Sequence, residues 1–277
     1  MHETEKGRKP WSKKLKKERY EARDPSIIGT GHVFTFLLLI STFVIYDVIV
    51  ITNLQDETST DFQALKSELE MSVHCQPEPV AVILENLNKI QKNEQTIGIV
   101  NFIGSTGVGK TFIANIIKRH FSLFYESTGS LKTKLQHDIW STIRGSLARY
   151  NLVVFDDLTV DDVDDLLVLI KGMPQDVATL VICIFNIQET DSFLNYNVNY
   201  DNIDLIESKF NSAEIKHDVA KFHEFSAGEV HDWIVNQLIT KGVDAQYHTR
   251  IIESVFGGHN VKYHGLKGLN SKINLEL

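Results

Sequence analysis

The chain has 277 residues, enough for one large α/β domain and a smaller piece, and its 43% hydrophobic and 23% charged residues are those of a globular protein rather than a fibrous one. The net charge of −8 is unevenly spread: residues 1–32 carry nine Lys/Arg against five Asp/Glu, while residues 53–277 carry nineteen against thirty. The acidic balance of the larger part argues against a nucleic-acid groove, and two cysteines, Cys75 and Cys183, are too few for a disulfide framework.

Residues 1–32 read as a disordered basic cytoplasmic tail, dense in Lys and Arg with few apolar residues. Val33 to Thr52 then runs VFTFLLLISTFVIYDVIVIT, about the twenty residues needed to cross a hydrocarbon core. Its one charge, Asp47, lies near the C-terminal end, within reach of the interface. The segment starts late for a signal peptide and lacks a small-residue cleavage site, so a transmembrane helix is expected. Basic residues precede it and acidic ones follow, which predicts a single-pass type II arrangement with residues 53–277 across the membrane.

Residues 53–79 read as a polar linker, with a short helix over Asp61 to Met71. Val82, Ile83, Leu87 and Ile90 give Val80 to Lys92 a helical spacing. A buried strand over Ile97 to Ile103 leads into Gly104-Ser105-Thr106-Gly107-Val108-Gly109-Lys110-Thr111, and a helix is expected from Phe112 to Phe121. This is a complete GxxxxGK[ST] loop in its required setting. Its glycines let successive N–H groups point into one concavity and hold phosphate oxygens. Lys110 is placed to reach the β/γ-phosphates, and the Thr111 hydroxyl to ligate magnesium. ATP and Mg²⁺ are the expected cofactors.

A helix over Leu135 to Arg149 precedes a buried parallel-type strand, Leu152 to Phe155. Asp156 and Asp157 follow at the strand's C-terminal end, where ligands of open α/β sheets bind. Asp156 would orient the metal or its water. Asp157 would polarise the attacking water, although its side chain is one methylene shorter than a glutamate. The acidic run continues through Asp161, Asp162, Asp164 and Asp165, so a plain acidic turn is the alternative for this pair. A helix over Asp164 to Lys171 and a strand over Ala178 to Phe185 come next. Asp191 to Asp204 reads as a surface loop, and from Glu214 onward the pattern is helical, most clearly over Glu229 to Thr240.

Taken in order, the phosphate loop, Ile143-Arg144-Gly145, Leu152 to Asp157, the strand ending Ile184-Phe185-Asn186 and the tail Gly265-Leu266-Lys267 resemble the torsins. These are AAA+ ATPases of the endoplasmic reticulum lumen and nuclear envelope, related to Clp-type unfoldases. The resemblance covers roughly residues 80–277. It implies an α/β sandwich with a parallel sheet over residues 80–207 and a small helical subdomain over 208–277. It makes Asn186 the sensor that positions water and reads the γ-phosphate, and Lys267 a nucleotide contact from the small subdomain. It further implies a slow ATPase that remodels protein partners, in a possible homo- or hetero-oligomer, with an arginine borrowed from a lumenal membrane cofactor. The chain has no arginine between Arg149 and Arg250 to supply its own. Several positions depart from the family pattern: Thr111 stands where most torsins have Asn, Asp157 where they have Glu, and Leu266 where they have Cys. A hydrolysis-dead nucleotide-binding scaffold and a cytosol-facing anchored ATPase remain as alternatives.

Overall fold

Apolar runs such as Leu180 to Phe185, and Ile99 to Ile103 with the single polar residue Asn101, suit strands covered on both faces, and parallel strands joined by helical crossovers bury both faces. The computed structural model describes residues 35, 37–46, 60–128, 131, 136–146, 148–190 and 196–277. It divides into two units, Met1–Ile51 and Thr52–Leu277.

The second unit is built on a five-stranded parallel sheet, with spatial order β2-β3-β4-β1-β7. Its strands are β1 (Ile97–Gly104), β2 (Leu123–Thr128), β3 (Asn151–Leu158), β4 (Thr179–Asn186) and β7 (Asp218–Lys221). Val100, Phe102, Val154 and Ile182 point to one face and pack with helices α1 (Phe62–Ser72), α2 (Pro77–Gln91) and α3 (Lys110–His120). Ile99, Ile103, Val153, Phe155 and Val181 point to the other, against α4 (Gln136–Arg144), α5 (Val163–Lys171) and α6 (Asp201–Ser212). The two-residue periodicity of each strand thus feeds two separate cores. A short antiparallel pair, β5 (Gln188–Thr190) and β6 (Tyr196–Val198), follows β4.

Helices α7 (Ala227–Thr240), α8 (Ala245–Gly257), α9 (Val261–His264) and α10 (Leu269–Glu276) form the C-terminal subdomain. Val230, Ile234, Leu238, Ile251, Val255, Leu269 and Ile273 join its core to the first face of the sheet. A capping box starts α7: Glu229 N–H donates to Ser226 Oγ at 3.2 Å, and Ser226 N–H donates to Glu229 Oε2 at 2.8 Å.

Several expectations need correction. Residues 60–79 are not a linker: Asp61 caps α1 by accepting from the Gln63 and Ala64 amides at 3.0 and 2.9 Å, and Leu65 and Leu69 are fully buried. The polar surface of that helix hid a two-leucine stripe spaced i, i+4. The large subdomain does not end at 207, because Asp218–Lys221 pairs with β1 as the edge strand. Four residues reading Asp-Val-Ala-Lys are too short and too polar to announce a strand. Within Asp191 to Asp204 the structure has β6 and the start of α6 rather than loop throughout, and residues 191–195 lie outside the described set. The helix expected to reach Arg149 stops at Arg144, where Gly145 follows.

The basic tail, residues 1–32, lies outside the described residues. Of the expected span from Val33 to Thr52, residues 37–46 are helical and exposed, and no helix among the described residues is long and apolar enough to cross a membrane.

If α1 belongs to the core, Leu65→Ala should destabilise the protein by about 2–5 kcal/mol in denaturant unfolding. A linker leucine would leave the unfolding midpoint where it was.

Candidate nucleotide-binding site

Three neighbouring strands deliver the site to one edge of the sheet. β1 ends at Gly104, which lies in register with Asn186 at the end of β4, and β3 brings Asp156 to the same edge. The loop after β1 turns through Gly107 at φ +81° and Gly109 at φ +101°, both in the left-handed region open to glycine. Gly107 has a second reason to lack a side chain, since a Cβ there would stand 1.9 Å from the His264 carbonyl oxygen.

Gly109 is the residue before α3, and no side chain caps that helix; its first turn also carries no acidic residue. The amides of its first turn and the positive end of its dipole therefore face the loop, an arrangement suited to an anion. Lys110, the first residue of α3, is 7% exposed. Its Nζ donates to the carbonyl oxygens of Gly104 at 2.7 Å and Ser105 at 2.5 Å. Burial pushes its pKa down from 10.5 to about 8, against the opposing pull of Asp156 and Asp157.

The Thr111 hydroxyl donates to Asp156 Oδ2 at 3.1 Å, and Asp156 Oδ1 accepts from the Asp157 amide at 2.8 Å. This pairing brings together the two oxygens expected at the metal. Asp157 occupies a bulge: Phe155 pairs with Cys183 and Leu158 with Phe185, so two residues of β3 face one of β4. Its backbone is left-handed, with φ +60°. Asp adopts this conformation more readily than Glu, because a short polar side chain can bond locally. The bulge thus gives a physical reason for Asp at this position.

Asn186 Nδ2 donates to Thr106 Oγ1 at 3.2 Å. Lys267 lines the same cavity from the C-terminal subdomain. That cavity has a volume of about 700 Å³, within the range of small-molecule sites. Its wall includes the loop from Thr106 to Thr111 together with Asp156, Asp157, Asn186 and Lys267. Ser105 is buried and presents its carbonyl to Lys110, and Gly104 does the same from the strand end.

This donor set fits a magnesium-bound nucleoside triphosphate. Uncapped amides and a buried ammonium match the phosphates, while Thr111 and Asp156 offer hard oxygens. Magnesium keeps water and phosphate oxygens when it binds nucleotides, so two protein oxygens suffice. Among the described residues no group of three or more His, Cys, Asp or Glu could hold a metal by itself.

Other residues of the site carry no sequence motif. Gln76 is 2% exposed and pairs with the backbone of His223: its Nε2 donates to the His223 carbonyl at 2.9 Å and its Oε1 accepts from the His223 amide at 3.3 Å. The same Nε2 reaches the Val108 carbonyl at 3.3 Å. Gln188 accepts from the Thr106 amide at 3.0 Å. Trp233 and Gln237, one turn apart on α7, face the cavity.

Solved structures are similar to this chain in fold. A closed-state Hsp104 determined with ATPγS and FITC casein is similar at 12% identity with a TM-score of 0.50, over 78% of this chain and 45% of that one. An extended S. cerevisiae Hsp104–casein complex matches at 11% identity with a TM-score of 0.50, over 79% and 47%. The fold is of the AAA+ kind. The chain spans about half the length of the Hsp104 chains it matches. A Thermotoga maritima RuvB variant is similar at 14% identity with a TM-score of 0.43, over 73% of this chain and 70% of that one. No protein-family model and no curated protein sequence matches this chain.

Lys110 sets two pH dependences of opposite sign. Without nucleotide, its lowered pKa means that the unfolded chain holds a proton the folded chain has lost between pH 8 and 10.5, so this group's contribution to stability rises through that window. A triphosphate needs the protonated form. Mg-ATP affinity should therefore fall about tenfold per pH unit above 8, with proton uptake seen by calorimetry in buffers of different ionisation heat. Constant affinity from pH 7 to 9.5 would contradict the assignment of Lys110.

The bulge makes a separate prediction. Asp157→Gly should be more stable than Asp157→Ala by about 1 kcal/mol, because alanine must hold the left-handed backbone. Equal unfolding midpoints for the two variants would remove the strain argument.

Proposed function

We propose that this chain is an ATPase that couples Mg-ATP binding and slow hydrolysis to the remodelling of a protein partner, in the manner of the torsins it resembles. The observation that carries the reading is Lys110: a buried ammonium beneath an uncapped helix N-terminus, beside the Thr111–Asp156 pair. The loop from Gly104 to Thr111 holds the phosphates, with the Thr106 amide turned instead to Gln188, and Lys110 neutralises them. Thr111 and Asp156 hold magnesium, which supplies further charge to the phosphate oxygens when bound. Asp157 orients the attacking water, and Asn186 and Lys267 contact the γ-phosphate. Trp233 and Gln237 offer the cavity a flat apolar wall and an amide for a purine base.

Among the described residues, no arginine lines the cavity. Among the described arginines, Arg119 pairs with Glu68 and Arg149 lies over the Tyr150 ring. Lysines cannot replace the planar two-pronged contact of a guanidinium, which in related phosphoryl-transfer systems accelerates turnover by about 10³–10⁵. The reading therefore includes a partner that supplies an arginine. The basic tail, the apolar run from Val33 to Thr52 and the acidic remainder support a membrane-anchored placement, with residues 53–277 in the endoplasmic reticulum lumen or nuclear envelope. Asp157, short and left-handed, favours a second reading in which bound nucleotide gates assembly without turnover.

The test is ATP binding and Mg-ATPase activity of the full chain, alone and with candidate lumenal partners. Lys110→Ala should abolish binding without unfolding the domain, and a partner should raise turnover through an arginine whose removal cancels the effect. Unchanged ATP affinity in Lys110→Ala would reject the site. Vigorous turnover by the isolated chain would reject the borrowed arginine, and binding with zero turnover under every condition would favour the gated scaffold.

A further inference from the structure

Gln188 sits two residues beyond Asn186, at the start of β5. Strand geometry turns alternate side chains to opposite sides. Glu189 faces outward, where its Oε1 accepts from Asn199 Nδ2 at 3.1 Å and Asn202 Nδ2 at 2.9 Å. Those bonds hold the short strand, and Gln188 is presented to the site. Its Oε1 accepts from the Thr106 amide at 3.0 Å, and its backbone N–H donates to Asn186 Oδ1 at 3.2 Å. Asn186 Nδ2 in turn donates to Thr106 Oγ1 at 3.2 Å. Thr106, Asn186 and Gln188 therefore close a ring of three hydrogen bonds beside the phosphate loop.

The other end of the same carboxamide points at the C-terminal subdomain. The Thr106 N–H is a donor, so the oxygen must face it and the NH₂ must face away. That NH₂ reaches the Tyr263 carbonyl at 3.5 Å, a long contact. Nearby, the Leu266 amide donates to the Gly107 carbonyl at 3.0 Å, and the backbones at Gly107 and Gly265 approach so closely that a Cβ on Gly265 would stand 2.6 Å from the Gly107 oxygen. The C-terminal turn is thus docked directly on the apex of the phosphate loop.

We propose that Gln188 is a positioning residue that couples the phosphate end of this site to the docking of the C-terminal subdomain. The proposal rests on the nucleotide reading above. A γ-phosphate that draws the Asn186 amide toward itself takes that donor from Thr106. Thr106 then shifts, the Gln188 carboxamide follows its hydrogen-bond partner, and the contact with Tyr263 changes with it. One planar group with both ends engaged cannot rotate at one end alone. The coupling travels through named hydrogen bonds between elements that also touch at Gly107 and Gly265, which is the physical condition for two sites to bias one another.

Two substitutions separate the arms of the carboxamide. Gln188→Glu keeps an acceptor for Thr106 and loses the donor to Tyr263, whereas Gln188→Met loses both. The measurement is hydrogen exchange of the full chain with Mg²⁺, with and without saturating AMP-PNP, so that affinity differences drop out. In the wild type, AMP-PNP should change exchange over residues 263–268, and in both variants that change should shrink by about fivefold or more. The Thr106 amide should stay protected in Gln188→Glu and lose protection in Gln188→Met. A residue that merely stiffens the fold would alter both regions alike in both variants. If Gln188→Met fails to fold, the near-isosteric Gln188→Glu carries the comparison. A wild-type response over 263–268 that persists in the variants, or is absent while AMP-PNP binds, overturns the coupling alone. A wild type that binds no AMP-PNP overturns the nucleotide reading and the coupling with it.

Discussion

A lysine ammonium buried at the junction of a strand and a helix is the interaction on which the rest of this site depends. Holding Lys110 against the Gly104 and Ser105 carbonyls while lowering its pKa to about 8 costs the folded chain on the order of 3 kcal/mol in the charged form. That cost is what burial leaves after the pull of Asp156 and Asp157 has been counted. An anion in the loop would complete the compensation. The chain thus stores an unfavourable charge where a phosphate would be welcome, which is how a binding site differs from a well-satisfied core.

Everything around Lys110 serves to keep that charge in place. The sheet brings Gly104, Asp156 and Asn186 to one edge because β3, β4 and β1 are adjacent and parallel. The bulge in β3 displaces Asp157 from the ladder and forces its backbone into a left-handed conformation. The C-terminal subdomain then closes the site through backbone contacts rather than through a long side chain alone. Gly107 and Gly265 must both be glycine for that approach, since each would meet the other's backbone with a Cβ. Lys267 arrives at the cavity as a consequence of this docking.

Much of the site was legible along the chain. The phosphate loop reads directly, because its chemistry is local: glycines, a lysine and a hydroxyl within eight residues, between a strand and a helix. Asp156 is legible as a polar residue that ends an apolar run, a pattern that places it at the ligand end of a parallel sheet, whereas Asn186 is singled out only by the resemblance to the torsins. The contributions of Gln76 and Gln188 are not legible. Each acts by pairing its carboxamide with backbone far away in sequence, Gln76 with His223 and Gln188 with Thr106, and a lone glutamine carries no spacing signal. The edge strand Asp218–Lys221 escapes for a related reason, since pairing with β1 rather than its own composition makes it a strand.

By itself, then, the sequence determined what is encoded in contiguous residues: the GxxxxGK[ST] loop between a strand and a helix, the apolar strands β1, β3 and β4, the acidic strand end and the body of α7. It also carries the apolar run and charge asymmetry from which a membrane anchor is inferred. Tertiary structure alone decided that α1 belongs to the core, that β7 completes the sheet, and that Gly265 docks on Gly107. It also decided that Asp157 sits on a bulge. Those features depend on pairings between segments tens of residues apart, whose hydrogen bonds are made by generic amides and carbonyls. Every residue carries such groups, so no residue type announces which of them will meet.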